Sequence, residues 1–170
     1  MRIIAEQGDI TRAGTDAIVN AANSLLLGGG GVDGAIHHAA GPKLLEACRR
    51  LRNTTHRDGL EVGDAVATPG FDLPARWVIH TVGPNRNRGQ TDPTLLASCF
   101  TRSLDVAAEL GARSIAFPAV SAGAFGWPAD DVSRIAVDAV TGWHGPPIEE
   151  TRFVLFDQRV LTAFEAALAR

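Results

Sequence analysis

The apolar residues of this chain follow two repeating patterns, which predict short strands that alternate with amphipathic helices. Apolar or β-branched runs predict strands at residues 3–5, 17–20, 62–68, 77–82, 114–117 and 153–156. Apolar residues that recur every three or four positions predict helices at residues 32–40, 42–51, 93–110, 128–140 and 161–168. Strands that alternate with helices are typical of a three-layer α/β/α sandwich built around one sheet.

Boundary residues support the predicted helices. Asp92 directly precedes Pro93, which is the usual order of an N-cap and a first helical residue. Gly111 ends the helix that follows, because glycine readily adopts the conformation at which helices commonly stop. The pair Gly41 and Pro42 separates two predicted helices in the same way. The helical assignments therefore rest on boundary residues as well as on spacing.

The composition indicates one folded domain that spans residues 1–170. The chain has 45% hydrophobic and 21% charged residues, which is close to the globular average and argues against disorder. No apolar run approaches the ~18 residues that a transmembrane helix needs. Glu6 interrupts the first apolar run, so the N-terminus lacks the pattern of a signal peptide. We therefore expect a soluble, cytoplasmic protein with no membrane partner.

Charge and cysteine content limit the partners further. The chain has 16 basic and 19 acidic side chains, and its longest basic segments, residues 49–52 and 85–88, are typical of solvated faces or loops. We therefore expect no strong nucleic-acid binding. Cys48 and Cys99 lie in apolar helical patterns without partners at metal-ligand spacing, which predicts small buried hydrophobes and no metal site. No apolar stripe remains beyond the predicted core faces, so a monomer is expected.

Two glycine-bearing loops follow predicted strands. The first covers residues 20–34 and contains four consecutive glycines at 28–31, and the second covers residues 121–126. Ligands of α/β sheets bind beyond the carboxyl ends of the strands. Backbone N–H groups in such loops bind anions without lysine or arginine. The pattern predicts a diphosphate or similar anion held between the loops, with a flexible surface loop as the alternative.

Two catalytic or nucleotide-binding motifs match only in part. Gly29, Gly31 and Gly34 fit the dinucleotide-binding spacing, but they do not directly follow a strand and no acidic residue lies at the required distance. Ser121 nearly fits a hydrolase nucleophile elbow, but alanine replaces the first glycine of the motif and only His144 follows. The sequence therefore favours neither a Rossmann site nor a serine nucleophile.

Asp33 and Asn23 are the most informative polar residues of the first loop. Asp33 lies in the first turn of a predicted helix, where it either contributes helix-end electrostatics or serves to orient or deprotonate a water. Asn23 either hydrogen-bonds a ribose hydroxyl or forms a turn. His37 and His38 follow one helical turn after Asp33, but they have no metal-binding partners in the sequence.

Five segments stand in order along the chain: GDIT (8–11), DAIVNAAN (16–23), GGGGVD (28–33), HTVGP (80–84) and FPAVSAG (117–123). Together they resemble the macrodomain family, and most closely its MacroD-type branch of ADP-ribose hydrolases. The resemblance covers nearly the whole chain. It implies a mixed, roughly six-stranded sheet between helices, with a cleft for ADP-ribose.

The resemblance also implies roles for individual residues. Asp9 would accept a hydrogen bond from the adenine amino group beside Ile10, and Phe156 would stack on adenine unless it is an ordinary core residue. Asn23 would bind the distal ribose, and Gly31 and Val32 would line it. Asp33 would assist the attack of water on this sugar. The backbone of one loop would wrap the diphosphate, and Phe125 at the end of that loop would also pack on the distal ribose. The loop residues are Ser121, Ala122, Gly123, Ala124 and Phe125.

The implied reaction is metal-independent and cofactor-free hydrolysis at the distal ribose 1″ position, which releases ADP-ribose from Asp or Glu side chains of modified proteins and cleaves O-acetyl-ADP-ribose. Asn23 and Asp33 would be the catalytic residues, and the water would be activated either by Asp33 as a base or with the help of the diphosphate. The presence of Asp33 favours a hydrolase over a non-catalytic ADP-ribose reader. A phosphatase of ADP-ribose 1″-phosphate would use the same pocket. Residues 158–160 read Gln-Arg-Val where relatives often carry an acidic pair and an asparagine, so the adenine end departs most from the family pattern.

Overall fold

Six strands form one mixed sheet in the computed structural model, which describes all residues from Met1 to Arg170. The spatial order is β1-β6-β5-β2-β4-β3, and only the edge strand β3 runs antiparallel to its neighbour. The strands are β1 (Arg2–Gln7), β2 (Ala17–Ala22), β3 (Ala65–Pro69), β4 (Trp77–Val82), β5 (Ser114–Phe117) and β6 (Glu150–Leu155).

Five helices cover the two faces of the sheet: α1 (Gly31–Ala40), α2 (Pro42–Asn53), α3 (Pro93–Glu109), α4 (Ala129–Thr141) and α5 (Gln158–Leu168). Helices α1 and α2 enclose a core cluster of 15 buried residues on one face. Helices α3, α4 and α5 enclose a second cluster of 24 buried residues on the other. The three-layer sandwich with a mixed, six-stranded sheet is therefore confirmed.

Four of the six strands differ in their bounds from the sequence prediction. Strand β1 covers Arg2–Gln7, where only residues 3–5 were expected. The run predicted at 62–68 starts as a strand only at Ala65, because Gly63 has a φ of +87° and breaks the extended backbone. Val62 is left with a single isolated bridge to Val82. Strand β2 continues past Asn20 to Ala22. Strand β6 begins at Glu150 rather than at Phe153, and it ends one residue before Phe156.

The larger core cluster is organised around aromatic side chains. Phe153 of β6 contacts the rings of three other phenylalanines, with centroid distances of 4.8 Å to Phe164, 6.0 Å to Phe117 and 6.3 Å to Phe100. All four rings are fully buried. They connect α3 and α5 to the middle of the sheet, and the tilted and edge-on ring arrangements are the ones that aromatic pairs prefer.

Both cysteines are free and buried, as the sequence predicts. Burial raises the pKa of Cys48 and that of Cys99 to about 11. Buried thiols of this kind act as small hydrophobes rather than as nucleophiles. No helix is both long and apolar enough to cross a lipid bilayer.

Candidate functional site

A cleft of ≈ 940 Å³ opens beyond the carboxyl ends of the parallel strands. All of the predicted site residues line it: Asp9, Ile10, Asn23, Gly31, Val32, Asp33, Ser121, Ala122, Gly123, Ala124, Phe125 and Phe156. The loops after β1, β2, β5 and β6 contribute these residues, because parallel strands deliver their following loops to one edge of the sheet. A volume of this size is typical of sites for nucleotide-sized ligands.

Asp33 is buried in the first turn of α1, with 4% of its surface exposed. Its Oδ1 atom accepts a hydrogen bond of 2.8 Å from Asn20 Nδ2 and lies 3.4 Å from His37 Nε2. Its Oδ2 atom faces the glycine run, since a Cβ at Gly29 would lie only 3.1 Å from it. One carboxylate oxygen is therefore held by the protein, while the other borders the cleft.

The glycine run lies close to both polar residues. A Cβ at Gly29 would also lie 3.3 Å from Asn23 Nδ2, and a Cβ at Gly34 would lie 2.7 Å from the Gly29 carbonyl oxygen. Side chains at these two positions would push the run away from α1. Glycine at 29 and 34 therefore allows the backbone to cover Asp33 closely.

Asn23 shapes the same loop from inside. Its Nδ2 donates to the Gly28 carbonyl at 3.0 Å, and its Oδ1 accepts from the Leu25 backbone N–H at 3.1 Å. The turn-forming role considered for this residue is thus present in the structure. Its contact with a ribose stays a prediction.

Two sets of unused backbone donors border the cleft. The N–H groups of Gly123, Ala124 and Phe125 donate to no acceptor within the chain, and neither do those of Val32 and Asp33 at the start of α1. Donors at a helix N-terminus and in a glycine-bearing loop bind anions through their aligned partial charges. The cleft can therefore neutralise a diphosphate without a cationic side chain.

The loop at 121–126 is held in place from behind by the segment after β4. Ser121, with a φ of +67°, donates from Oγ to the Pro84 carbonyl at 2.9 Å. Asn87 Nδ2 donates to the Ala124 carbonyl at 2.9 Å, and the Arg86 N–H donates to the Phe125 carbonyl at 2.8 Å. Because its carbonyls are used in these bonds, the loop presents its N–H groups to the cleft.

The end of the cleft near β1 and β6 combines an acceptor with an exposed ring. Asp9 accepts hydrogen bonds from the Oγ1 and backbone N–H of Thr11, and these bonds hold its pKa below the ordinary value. Phe156 is 89% exposed, so the alternative that it is a core residue is wrong. A flat apolar ring beside a carboxylate acceptor is suited to a purine base with an exocyclic amino group.

Sequence reasoning missed Asn20, His80 and Thr68, which lie behind the cleft. Asn20 and His80 are directly paired across β2 and β4, and their side chains share the face covered by α1. The signal available in the sequence was the strand period of two, which places Asn20 on the same face as Ile18 and Ala22. A buried amide on that face requires a polar partner.

Burial lowers the pKa of His80 to about 3, with a smaller contribution from nearby His37. The unfolded chain binds a proton at this site below about pH 6.5, whereas the folded protein does not. We therefore expect full stability above pH 6.5 and a loss of about 2 kcal/mol between pH 6.5 and pH 5 from this residue.

Urea unfolding at pH 7 and pH 5 checks this expectation, with the non-titrating His80→Asn variant as the control. The wild type should lose more stability than the variant over this interval. Equal losses in the two proteins would show that His80 does not contribute to the pH dependence.

The family model described as Macro domain matches residues 19–136, which include both glycine-bearing loops. The chain belongs to the macro domain family. It is 58% identical over 163 residues to a macro domain-containing protein of Streptomyces griseus, covering 96% of this chain and 92% of that protein. A macro domain-containing protein of Ralstonia nicotianae is 50% identical over 165 residues, covering 96% of this chain and 92% of that protein.

Solved macrodomains share the whole architecture of this macro domain. A macrodomain of Oceanobacillus iheyensis, solved with ADP, aligns with a TM-score of 0.93 and 41% identity, covering 97% of this chain and 88% of that one. A Trypanosoma brucei macrodomain in complex with ADP-ribose aligns with a TM-score of 0.89 and 38% identity, covering 98% of this chain and 69% of that one. No group of three or more His, Cys, Asp or Glu side chains in this macro domain is arranged to hold a metal.

Proposed function

We propose that this macro domain binds ADP-ribose and hydrolyses the 1″ ester that links its distal ribose to Asp or Glu side chains of modified proteins. The observation that carries the proposal is the position of Asp33. Its Oδ2 atom borders a cleft lined by two sets of unused backbone donors, while Oδ1 is held by Asn20 at 2.8 Å. The Oceanobacillus iheyensis and Trypanosoma brucei relatives, solved with ADP and with ADP-ribose, support the choice of ligand.

The proposed ligand lies along the cleft with its diphosphate between the two loops. The free N–H groups of Gly123, Ala124 and Phe125 bind one side of it, and those at the start of α1 bind the other. Adenine then reaches the exposed ring of Phe156, with its amino group toward Asp9. The distal ribose lies at the opposite end, beside Asn23 and Asp33, where Gly31, Val32 and Phe125 complete the wall.

In the proposed reaction, Asp33 Oδ2 accepts a hydrogen bond from the water that attacks the 1″ ester. The other carboxylate oxygen is already engaged, so the orientation of the acceptor is fixed before the substrate binds. The products are ADP-ribose and the free carboxylic acid. O-acetyl-ADP-ribose presents an acyl ester on the same ribose and is proposed as a second substrate, which yields acetate.

The remaining parts of the proposal concern the setting of the activity. We propose a cytoplasmic monomer whose partners are ADP-ribose, ADP-ribosylated proteins and O-acetyl-ADP-ribose, with no cofactor and no metal ion. The oriented backbone donors take the place of a cation at the diphosphate.

Release of free ADP-ribose from a protein that is mono-ADP-ribosylated on glutamate tests the proposal. Release with turnover supports the hydrolase. Binding of ADP-ribose without release from any linkage would identify a reader instead. Faster release of phosphate from ADP-ribose 1″-phosphate than of acid from the acyl ester would identify a phosphatase.

Gly83→Ala is expected to weaken ADP-ribose binding about tenfold. A Cβ at Gly83 would overlap Ser121 Oγ and lie 2.7 Å from Val120 Cγ1, so Ser121 must leave the Pro84 carbonyl and the loop must shift. Isothermal titration with ADP-ribose measures the effect. Gly14→Ala is the matched control, since a Cβ there meets no atom within 4 Å. Unchanged affinity in Gly83→Ala would contradict the role assigned to this loop.

A further inference from the structure

A continuous series of buried polar side chains extends from Asp33 away from the cleft. Asn20 Nδ2 lies 2.8 Å from Asp33 Oδ1 and 3.1 Å from His80 Nδ1. On the other side of the imidazole, His80 Nε2 lies 2.9 Å from Thr68 Oγ1. These three residues are at most 5% exposed, and none of them lines the cleft.

The carboxylate at one end determines the direction of every hydrogen bond in this series. A carboxylate only accepts, so Asn20 must present its amino group to Asp33. The second hydrogen of the same amino group points to His80 Nδ1, which must therefore be the unprotonated, accepting nitrogen. The ring proton then resides on Nε2 and is donated to Thr68 Oγ1.

The flipped Asn20 amide would place two hydrogen-bond acceptors against each other, and the other His80 tautomer would place two donors against each other. If the Asn20 amide were rotated by half a turn, its carbonyl oxygen would lie 2.8 Å from a carboxylate oxygen. If His80 carried its proton on Nδ1, that proton would face an amino group. Asn20 Oδ1 is buried without a hydrogen-bond partner, which indicates that the two bonds of the amino group, rather than the carbonyl, determine the orientation of this amide.

We propose that His80 is a positioning residue for the reaction, and that it acts through Asn20 to hold Asp33 Oδ1 so that Oδ2 faces the substrate. The inference rests on the proposed hydrolase function. Thr68 contributes by binding the Nε2 proton and so fixing the tautomer. Strand pairing holds the arrangement, because Asn20 and His80 are direct neighbours across β2 and β4.

This role predicts a separation of kinetic constants. His80 touches neither the cleft nor any of the backbone donors assigned to the diphosphate. A change at this position therefore affects the orientation of the Asp33 carboxylate and leaves the contacts with ADP-ribose in place. The turnover number kcat should fall, while the dissociation constant for ADP-ribose should stay nearly constant.

The test compares two amide substitutions of similar size. In His80→Asn the side-chain oxygen reaches the place of Nδ1 and still accepts from Asn20, whereas in His80→Gln the amide extends to the place of Nε2 and leaves Asn20 without an acceptor. We expect kcat of His80→Asn within about threefold of wild type, and kcat of His80→Gln at least about tenfold lower. Both variants should bind ADP-ribose within about threefold of wild type.

Equal kcat in the two variants, whether retained or lost, would overturn the inference, because a merely structural role does not distinguish the two amides. A ¹⁵N spectrum of the wild-type imidazole adds a measurement that does not depend on variants. It should show the Nε2–H tautomer of His80.

The same measurements separate failure of this inference from failure of the proposed function. An Nδ1–H imidazole in a wild-type protein that releases ADP-ribose overturns the role of His80 alone. A wild type that binds ADP-ribose and releases none overturns the proposed function and the kinetic role of His80 together.

Discussion

Asp33→Asn is expected to reduce the rate of ADP-ribose release by about 100- to 10,000-fold, the range typical of a lost general acid–base group. Asparagine keeps the size of the side chain and an oxygen that accepts from Asn20, so the fold and the glycine run should be retained. ADP-ribose affinity should stay within about tenfold, because the diphosphate is bound by backbone N–H groups elsewhere in the cleft. Single-turnover release and isothermal titration measure the two quantities.

Asp130→Asn is the matched control for the alternative explanation of Asp33 as a helix-end charge. Asp130 also lies in the first turn of a helix, but it is exposed and does not line the cleft. The same substitution there should change stability by less than about 1 kcal/mol and leave release unaffected. If Asp33→Asn released ADP-ribose as fast as Asp130→Asn, the catalytic role of Asp33 would be rejected.

Phe153→Ala is expected to lower the free energy of unfolding by about 3–5 kcal/mol. The ring is completely buried and lies between the rings of Phe117, Phe100 and Phe164, so its removal leaves a cavity that α3 and α5 cannot easily fill. Urea unfolding followed by circular dichroism measures the change. A loss below about 1 kcal/mol would mean that the aromatic cluster can repack around the missing ring.

The same substitution three residues further on provides the contrast. Phe156 is 89% exposed, so Phe156→Ala should change stability by no more than about 0.5 kcal/mol. If adenine stacks on this ring, ADP-ribose affinity should nevertheless fall, since base–aromatic stacking contributes about 1–3 kcal/mol. Unchanged affinity would remove Phe156 from the proposed adenine site.

Much of the architecture was predictable because local signals determine it. Asp92 caps α3 with a hydrogen bond to the Thr94 N–H, as its position before Pro93 predicts. The short apolar run at Ser114–Phe117 is a strand with those same bounds. The order of the strands was not predictable in this way, because the antiparallel edge position of β3 depends on contacts between distant parts of the chain.

The residues of the cleft and of the polar series behind it were likewise predictable only where local features of the sequence mark them. Glycines 28–31 and the loop at 121–126 are visible in the sequence, because a run of residues without side chains and a loop after a strand are local features. Asn20 looks like the end of a strand in the sequence. Its contacts with Asp33 and His80 arise only when β2, β4 and α1 pack together, and spacing along the chain carries no information on that packing.

The pairing of β1 with β6 has a consequence for how the cleft assembles. Arg2 pairs with Glu150, and the Gln7 amide donates to the Phe156 carbonyl 149 positions away. Contacts of such sequence separation carry the largest loop-closure entropy and slow folding. The cleft wall that holds Asp9 and Phe156 therefore exists only after the two ends of the chain have met. A ligand that contacts this wall binds only the folded chain. At a free ligand concentration of a hundred times its dissociation constant, it stabilises the folded chain by about 2.7 kcal/mol.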